Sequence, residues 1–262
     1  MSWWGKIIGG TFGFMLGGPL GALLGASLGH NFDKRLSGVP GIGEYGRGQK
    51  ERVQTAFFAA TFSVMGNLCK ADGRVSDDEI AVARQVMAQM SLSSQQRQAA
   101  MALFNEGKKA GFPMDDVLLQ LKQEIGYQPN LQRMFIEIQL YSAYADGVMH
   151  PSERALLLKI CKTFGFSSHD LASLEEAIRG EWHHQQSAKG PALALNDAYA
   201  ILNVAARAAD AEVKRAYRRL MNQHHPDKLV SKGLPEEMMK IAENKTHEIR
   251  QAYERIKEER GF

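Results

Sequence analysis

Cysteine is scarce in this 262-residue chain: only Cys69 and Cys161 occur, too few for a disulfide framework and in keeping with a reducing compartment. Catalytic signatures are missing too. The chain has no phosphate-cradling Walker loop, dinucleotide fingerprint, nucleophile elbow or zinc-type cysteine pattern. No cofactor is therefore expected, and the chain does not read as an enzyme. The net charge is only +3, and no basic stripe with interleaved aromatics appears, so nothing points to a nucleic-acid partner. In one place charge is absent altogether: no Asp, Glu, Lys or Arg lies between residues 7 and 29.

That uncharged run is long enough for a helix to cross the hydrocarbon core of a bilayer. It exceeds a signal-peptide core and lacks a clear small-residue cleavage site, and its glycines would weaken a helix in water. Trp3 and Trp4 stand at one edge, where interfacial aromatics belong. We expect a transmembrane helix over residues 7–30, with residues 1–6 as a short periplasmic N-terminus. The flanking charge is uneven. Lys6 precedes the run, whereas Lys34, Arg35, Arg47, Lys50 and Arg52 follow it, which by the positive-inside rule puts the bulk of the chain in the cytoplasm. Gly5, Gly9, Gly13, Gly17, Gly21, Gly25 and Gly29 recur every fourth residue. Small residues at this spacing let two membrane helices approach closely, and the expected outcome is self-association as a homodimer. Each four-residue step advances about 400°, so the stripe drifts by about 40° per glycine and only part of it can face one straight seam.

A glycine-rich linker is expected at residues 31–50 and a polar one at 181–193, where Gly190-Pro191 interrupts the chain. Residues 51–180 between them have a helical pattern and enough length for one core. Phe57, Phe58, Phe62, Met65 and Leu68 lead one apolar run, and Met134, Phe135, Ile138 and Tyr141 another. The segment Ala71-Asp72-Gly73 to Glu79 is echoed 74 residues later by Ala145-Asp146-Gly147 to Glu153. The spacing matches the second half of a calcium-binding loop, but the first half carries Leu68 and Lys70, or Ser142 and Tyr144, where ligands belong. Turn chemistry accounts for the rest: Gly73 and Gly147 supply left-handed backbone, Ser76 and Glu79 a capping box, and Pro151 a helix start. No metal site is expected, with an acidic site from Asp72, Glu79, Asp146 and Glu153 the weaker alternative.

The last segment, residues 194–262, centres on His225-Pro226-Asp227. Before it, Val213, Ala216, Tyr217, Leu220 and Met221 fall on one helical face, and Lys214, Arg215, Arg218, Arg219 and Asn222 on the other. Asp210 suits an N-cap, and Pro226 should stop the helix at the tripeptide. A second amphipathic run follows Pro235, with Met238, Ile241, Ile249, Ala252, Tyr253 and Ile256 on one face, and residues 196–202 read as a short opening helix. His183-His184 and His224-His225 lack metal-ligand partners at useful spacing, so both pairs read as solvated.

A basic helix running into this tripeptide resembles a J domain, the antiparallel helical hairpin by which co-chaperones drive a DnaK-type chaperone to hydrolyse ATP. The resemblance implies that Lys214, Arg215, Arg218 and Arg219 dock on the acidic surface of the chaperone. It also implies that Asp227 pairs with the chaperone, with His225 and Pro226 fixing the loop. Lys70-Ala71-Asp72-Gly73 and its echo resemble the helical TerB-like domain, although Tyr144 replaces the lysine in the second copy. An anchor, a TerB-like domain and a J domain in this order resemble the DjlA-type membrane-anchored DnaJ-like co-chaperones, over the whole chain.

The fold class is accordingly all-α. The resemblance implies a single-pass protein of the bacterial inner membrane whose partners are a DnaK-type chaperone, the bilayer and an unknown client protein, with a role in envelope stress or capsule control. The zinc-finger and long Gly/Phe regions of full-length DnaJ proteins are absent, which favours specialised clients. A second reading is a membrane scaffold or sensor acting through the TerB-like domain, with the J domain secondary. The intact tripeptide and basic face oppose it.

Overall fold

The computed structural model of the protein describes residues 18–28, 45–71, 84, 86–88, 90, 92–144, 149–186 and 193–262. All regular structure among the described residues is helical. The order is α1 (Gly18–Leu28), α2 (Tyr45–Cys69), α3 (Ser94–Gly107), α4 (Met114–Ile125), α5 (Pro129–Ala143), α6 (Pro151–Phe164), α7 (Ser168–Gln186), α8 (Leu195–Leu202), α9 (Asp210–Gln223), α10 (Pro226–Ser231) and α11 (Met239–Arg260).

The middle domain is built around α2. Between Val53 and Cys69 nearly every side chain of this helix is buried, so it is surrounded by its neighbours rather than lying on a surface. Its hydroxyls bond back to its own turns: Thr55 to the carbonyl of Glu51, Thr61 to Phe57 and Ser63 to Ala59. Two glycines let α3 press against it, backbone on backbone. A Cβ on Gly66 would lie 2.0 Å from the Phe104 carbonyl oxygen, and one on Gly107 would lie 1.8 Å from that of Ser63. On the opposite side Phe57 meets Phe135 of α5 edge to face at 5.8 Å, and Phe135 meets Phe164 of α6 at 5.6 Å.

α2 and α7 both reach into stretches expected to be linkers: α2 starts at Tyr45 and α7 continues to Gln186. Once a packed turn exists, each further residue adds a hydrogen bond at little cost, so helices run past the end of their apolar pattern.

α1 has 11 residues and is about 16 Å long, short of the roughly 30 Å hydrocarbon core. No helix among the described residues is long and apolar enough to cross a membrane. α1 rests on the middle domain, with Leu20 buried and its N–H donating to Gln120 Oε1 at 2.8 Å. Gly21 and Gly25 belong to α1. Gly5, Gly9, Gly13, Gly17 and Gly29, and most of the expected span, lie outside the described residues.

In the C-terminal segment α8 lies across the α9–α11 hairpin, around a core that includes Tyr199, Leu202, Val213, Leu220, Ile249, Ala252 and Ile256. Arg260 clasps the end of α11 to the loop before α9: its guanidinium donates to Tyr199 Oη at 2.8 Å, to Asp210 Oδ1 at 2.9 Å, and to the carbonyls of Ala206 and Ala208, each at 2.6 Å. Asp210 is thus the first helical residue rather than the cap. The cap is Ala209, whose N–H is taken by Glu212 Oε2 at 3.0 Å.

This segment does not stand apart from the middle domain. Leu229, Leu234, Met238 and Ala242 belong to the same apolar cluster as α2 to α7. Gln54 of α2 donates to the Leu234 carbonyl at 3.2 Å, and Gln96 of α3 donates to Glu237 at 2.6 Å. α8 approaches α7 closely at Gly180, where a Cβ would meet Ala200 Cβ at 3.3 Å.

Candidate chaperone-docking site

The tripeptide lies between two helices. α9 ends at Gln223 and is capped by His224, whose N–H donates to the Leu220 carbonyl at 3.0 Å. His225 then turns extended, with φ −60° and ψ 120°, and Pro226 opens the six-residue α10. The helix stops at the tripeptide as Pro226 dictates, and α10 carries no periodic signal in the sequence because a single turn has too few residues to show one. Its hydrogen bonding begins where Leu229 N–H donates to the His225 carbonyl at 3.1 Å. His225 and Asp227 are exposed and Pro226 is half-buried.

The expected apolar face of α9 is the buried one, with Val213, Ala216 and Leu220 all below a tenth exposed. Arg215, Arg218 and Arg219 are exposed on the other side. Lys214 parts from them: it is half-buried, with its Nζ over the Phe262 ring at 4.6 Å. Phe262 in turn borders the stacked Tyr217–Tyr253 pair. Two cations absent from the sequence-based set join this surface. Arg207 lines an open groove of about 560 Å³ together with Arg215, Arg219 and Glu212. Lys228, next to Asp227, reaches back to Asn222 Oδ1. Spacing on one helix cannot find Arg207, because it precedes α9 and is brought there by the loop that Arg260 holds.

His224 contradicts the expectation that the His224-His225 pair is solvated. It is 2% exposed, and its Nδ1 lies 3.5 Å from Glu137 Oε2 on α5. Burial pushes the imidazole down to about 4, with Glu137 pulling the other way, so the ring is neutral at pH 7. Burial alone would raise the Glu137 carboxyl, but His224, Lys245 and Arg133 together bring it below its ordinary value. The side chains of His183 and His184 lie outside the described residues.

Of the acidic residues weighed for metal, Asp72, Glu79 and Asp146 lie outside the described residues. Glu153 is occupied in capping α6, accepting from the His150 N–H at 2.9 Å, and Pro151 starts that helix as expected. Among the described residues no three His, Cys, Asp or Glu side chains gather as metal ligands. Cys69 and Cys161 are buried and unbridged, and burial, with Asp170 and Glu175 nearby, pushes the Cys161 thiol up to about 12.

A helical hairpin with His-Pro-Asp exposed at its turn and arginines along the preceding helix defines a J-domain protein, and residues 197–260 match the DnaJ domain model. Residues 58–176 match the model of the tellurite resistance protein TerB, and residues 1–50 that of the co-chaperone DjlA transmembrane domain. Co-chaperone proteins DjlA of Coxiella burnetii and Photobacterium profundum are each 44% identical to the chain, over 100% and 99% of both sequences respectively. That of Shewanella oneidensis is 43% identical over the full length of both. No solved structure matches the chain. The chain belongs to the co-chaperone DjlA family. It is a membrane-anchored J-domain co-chaperone, and a J domain of this kind has a DnaK-type Hsp70 chaperone for its partner.

Proposed function

We propose that the chain holds its His225-Pro226-Asp227 turn at the cytoplasmic face of the bacterial inner membrane, with residues 1–6 periplasmic, and there stimulates ATP hydrolysis by a DnaK-type chaperone on membrane-proximal clients. The observation that carries this reading is the exposure of His225 and Asp227 beside Arg215, Arg218 and Arg219, on a face left open by the middle domain. The arginines, joined by Lys214 at the edge, steer and hold an acidic surface. Asp227 forms an ion pair with the chaperone, while His225 and Pro226 set the turn. His225 is not a general base, because the reaction centre lies in the partner. The chain thus acts as a regulator without catalytic chemistry of its own. The glycine stripe pairs two copies in the bilayer, and the TerB-like middle domain selects clients, which links the protein to envelope stress or capsule control. A second copy and lipid are accordingly partners alongside the chaperone.

The test is steady-state ATPase of a DnaK-type chaperone with the chain in lipid nanodiscs. Wild type is expected to stimulate, while His225→Gln and Asp227→Asn do not. Equal stimulation by all three would defeat the reading.

A further inference from the structure

Glu137 and His224 belong to different domains, yet each is almost wholly buried, at 6% and 2% exposure. Around them close Arg133 of α5, Ser173, Leu174, Ala177 and Ile178 of α7, and Lys245 and Ile249 of α11, leaving a cavity of only about 10 Å³ that no ligand could enter. Glu137 Oε1 accepts from Arg133 Nε at 3.0 Å. Its other oxygen and both nitrogens of His224 make no hydrogen bond. A buried carboxylate facing an imidazole in this way is costly to keep, and such groups call for an explanation beyond stability.

Their position supplies one. His224 immediately precedes the exposed His225, and adjacent Cα atoms are about 3.8 Å apart, so there is no slack between the buried contact and the tripeptide. On the other side of the tripeptide Leu229, 1% exposed, is fixed in the apolar cluster of the middle domain. The tripeptide is therefore bracketed by two residues that the middle domain holds.

We propose that Glu137, acting through His224, is a positioning residue for His225-Pro226-Asp227, so that the middle domain sets the geometry in which the tripeptide meets the chaperone. The inference rests on the reading of the tripeptide as the coupling element. Capture of the chaperone belongs to the arginines of α9, which point away from this contact, so loss of the contact weakens coupling and leaves capture alone.

The experiment is a titration of DnaK-type chaperone ATPase with the full chain in nanodiscs, comparing wild type, Glu137→Gln, His224→Gln and the double variant. His225→Gln serves as the control. The plateau is expected to fall by about ten- to a hundredfold in each single variant, the upper end being that of an ångström-scale misplacement, while the half-saturating concentration stays that of wild type. Because the two residues act through one contact, the double variant should lose no more than the weaker single. Partial unfolding moves the other quantity: it raises the half-saturating concentration and spares the plateau, and that pattern would overturn the proposal. So would a wild-type plateau in both single variants, or a double variant whose loss is the product of the two. If His224→Gln does not fold, His224→Asn takes its place. A His225→Gln chain that stimulates like wild type would instead sink the underlying reading, whatever the other variants do.

Discussion

Gly233, two residues beyond α10, links the tripeptide segment to the centre of the middle domain, and Gly233→Ala tests that link. Its φ of +112° lies where side chains are strained, at a cost of about 1–3 kcal/mol for a residue held there. A Cβ would also lie 2.4 Å from Val53 Cγ1 on α2, and relieving such a clash in a packed interface costs about 1–3 kcal/mol more. The sum, about 2–6 kcal/mol, falls on the docking of the segment that follows the tripeptide. Hydrogen exchange of the reconstituted chain reads it directly. The reporters are the amides of Leu234, bonded to the Leu229 carbonyl at 2.9 Å, and Met238, bonded to that of Pro235 at 2.9 Å. With a tenfold change per 1.4 kcal/mol, their protection should fall by at least about thirtyfold. Val53→Ala alone removes buried apolar surface worth about 1.5–3 kcal/mol. Combined with Gly233→Ala it also removes the clash, so the double variant should be less than additive by about 1–3 kcal/mol, while the backbone strain remains. Wild-type exchange in Gly233→Ala, or strict additivity in the double variant, would show that Gly233 does not hold this segment against α2.

Further outcomes are expected from the docking face, the buried histidine and the anchor. Arg218→Ala and Arg219→Ala should each raise the half-saturating concentration for the chaperone at low salt. That difference should shrink as added salt shortens the Debye length from about 10 Å toward 3 Å. Lys214→Ala should cost less, because its ammonium is engaged over Phe262. His224 is held down at about 4 from an ordinary 6.5, first by burial, so between those values the unfolded chain binds a proton that the folded chain refuses. Stability is then full above about pH 6.5 and falls by up to about 3 kcal/mol as pH drops toward 4, and His224→Gln should flatten that slope in denaturant midpoints. In cross-linking of the chain in membranes, Gly17→Leu with Gly21→Leu should lose the dimer, and unchanged cross-links would remove the glycine-stripe reading.

How much of this was legible from residues alone depends on the range of the signal. The faces of α9 and α11 were, because a period of 3.6 residues sorts Val213, Ala216 and Leu220 from Arg215, Arg218 and Arg219 whatever lies beyond them. Pro226 and the residue before it announced the break. The helix boundaries at Tyr45 and Gln186 were less visible, since helical continuation needs no apolar pattern. The contact of Lys214 with Phe262, which sets it apart from the exposed arginines, could not be read locally, because no helical spacing connects the two residues.

The order of the three segments, the helical class, and the tripeptide with its basic approach all rest on contiguous residues and are written in the chain itself. Long-range packing gives the neighbouring histidines opposite environments, His224 buried against Glu137 and His225 exposed. The same packing makes Leu229, Leu234, Met238 and Ala242 complete the core of the middle domain rather than that of their own hairpin. The reason is physical: periodicity records which face of a helix avoids water, but not which distant surface covers it. Glu137 and His224 meet only because two separately patterned domains pack together.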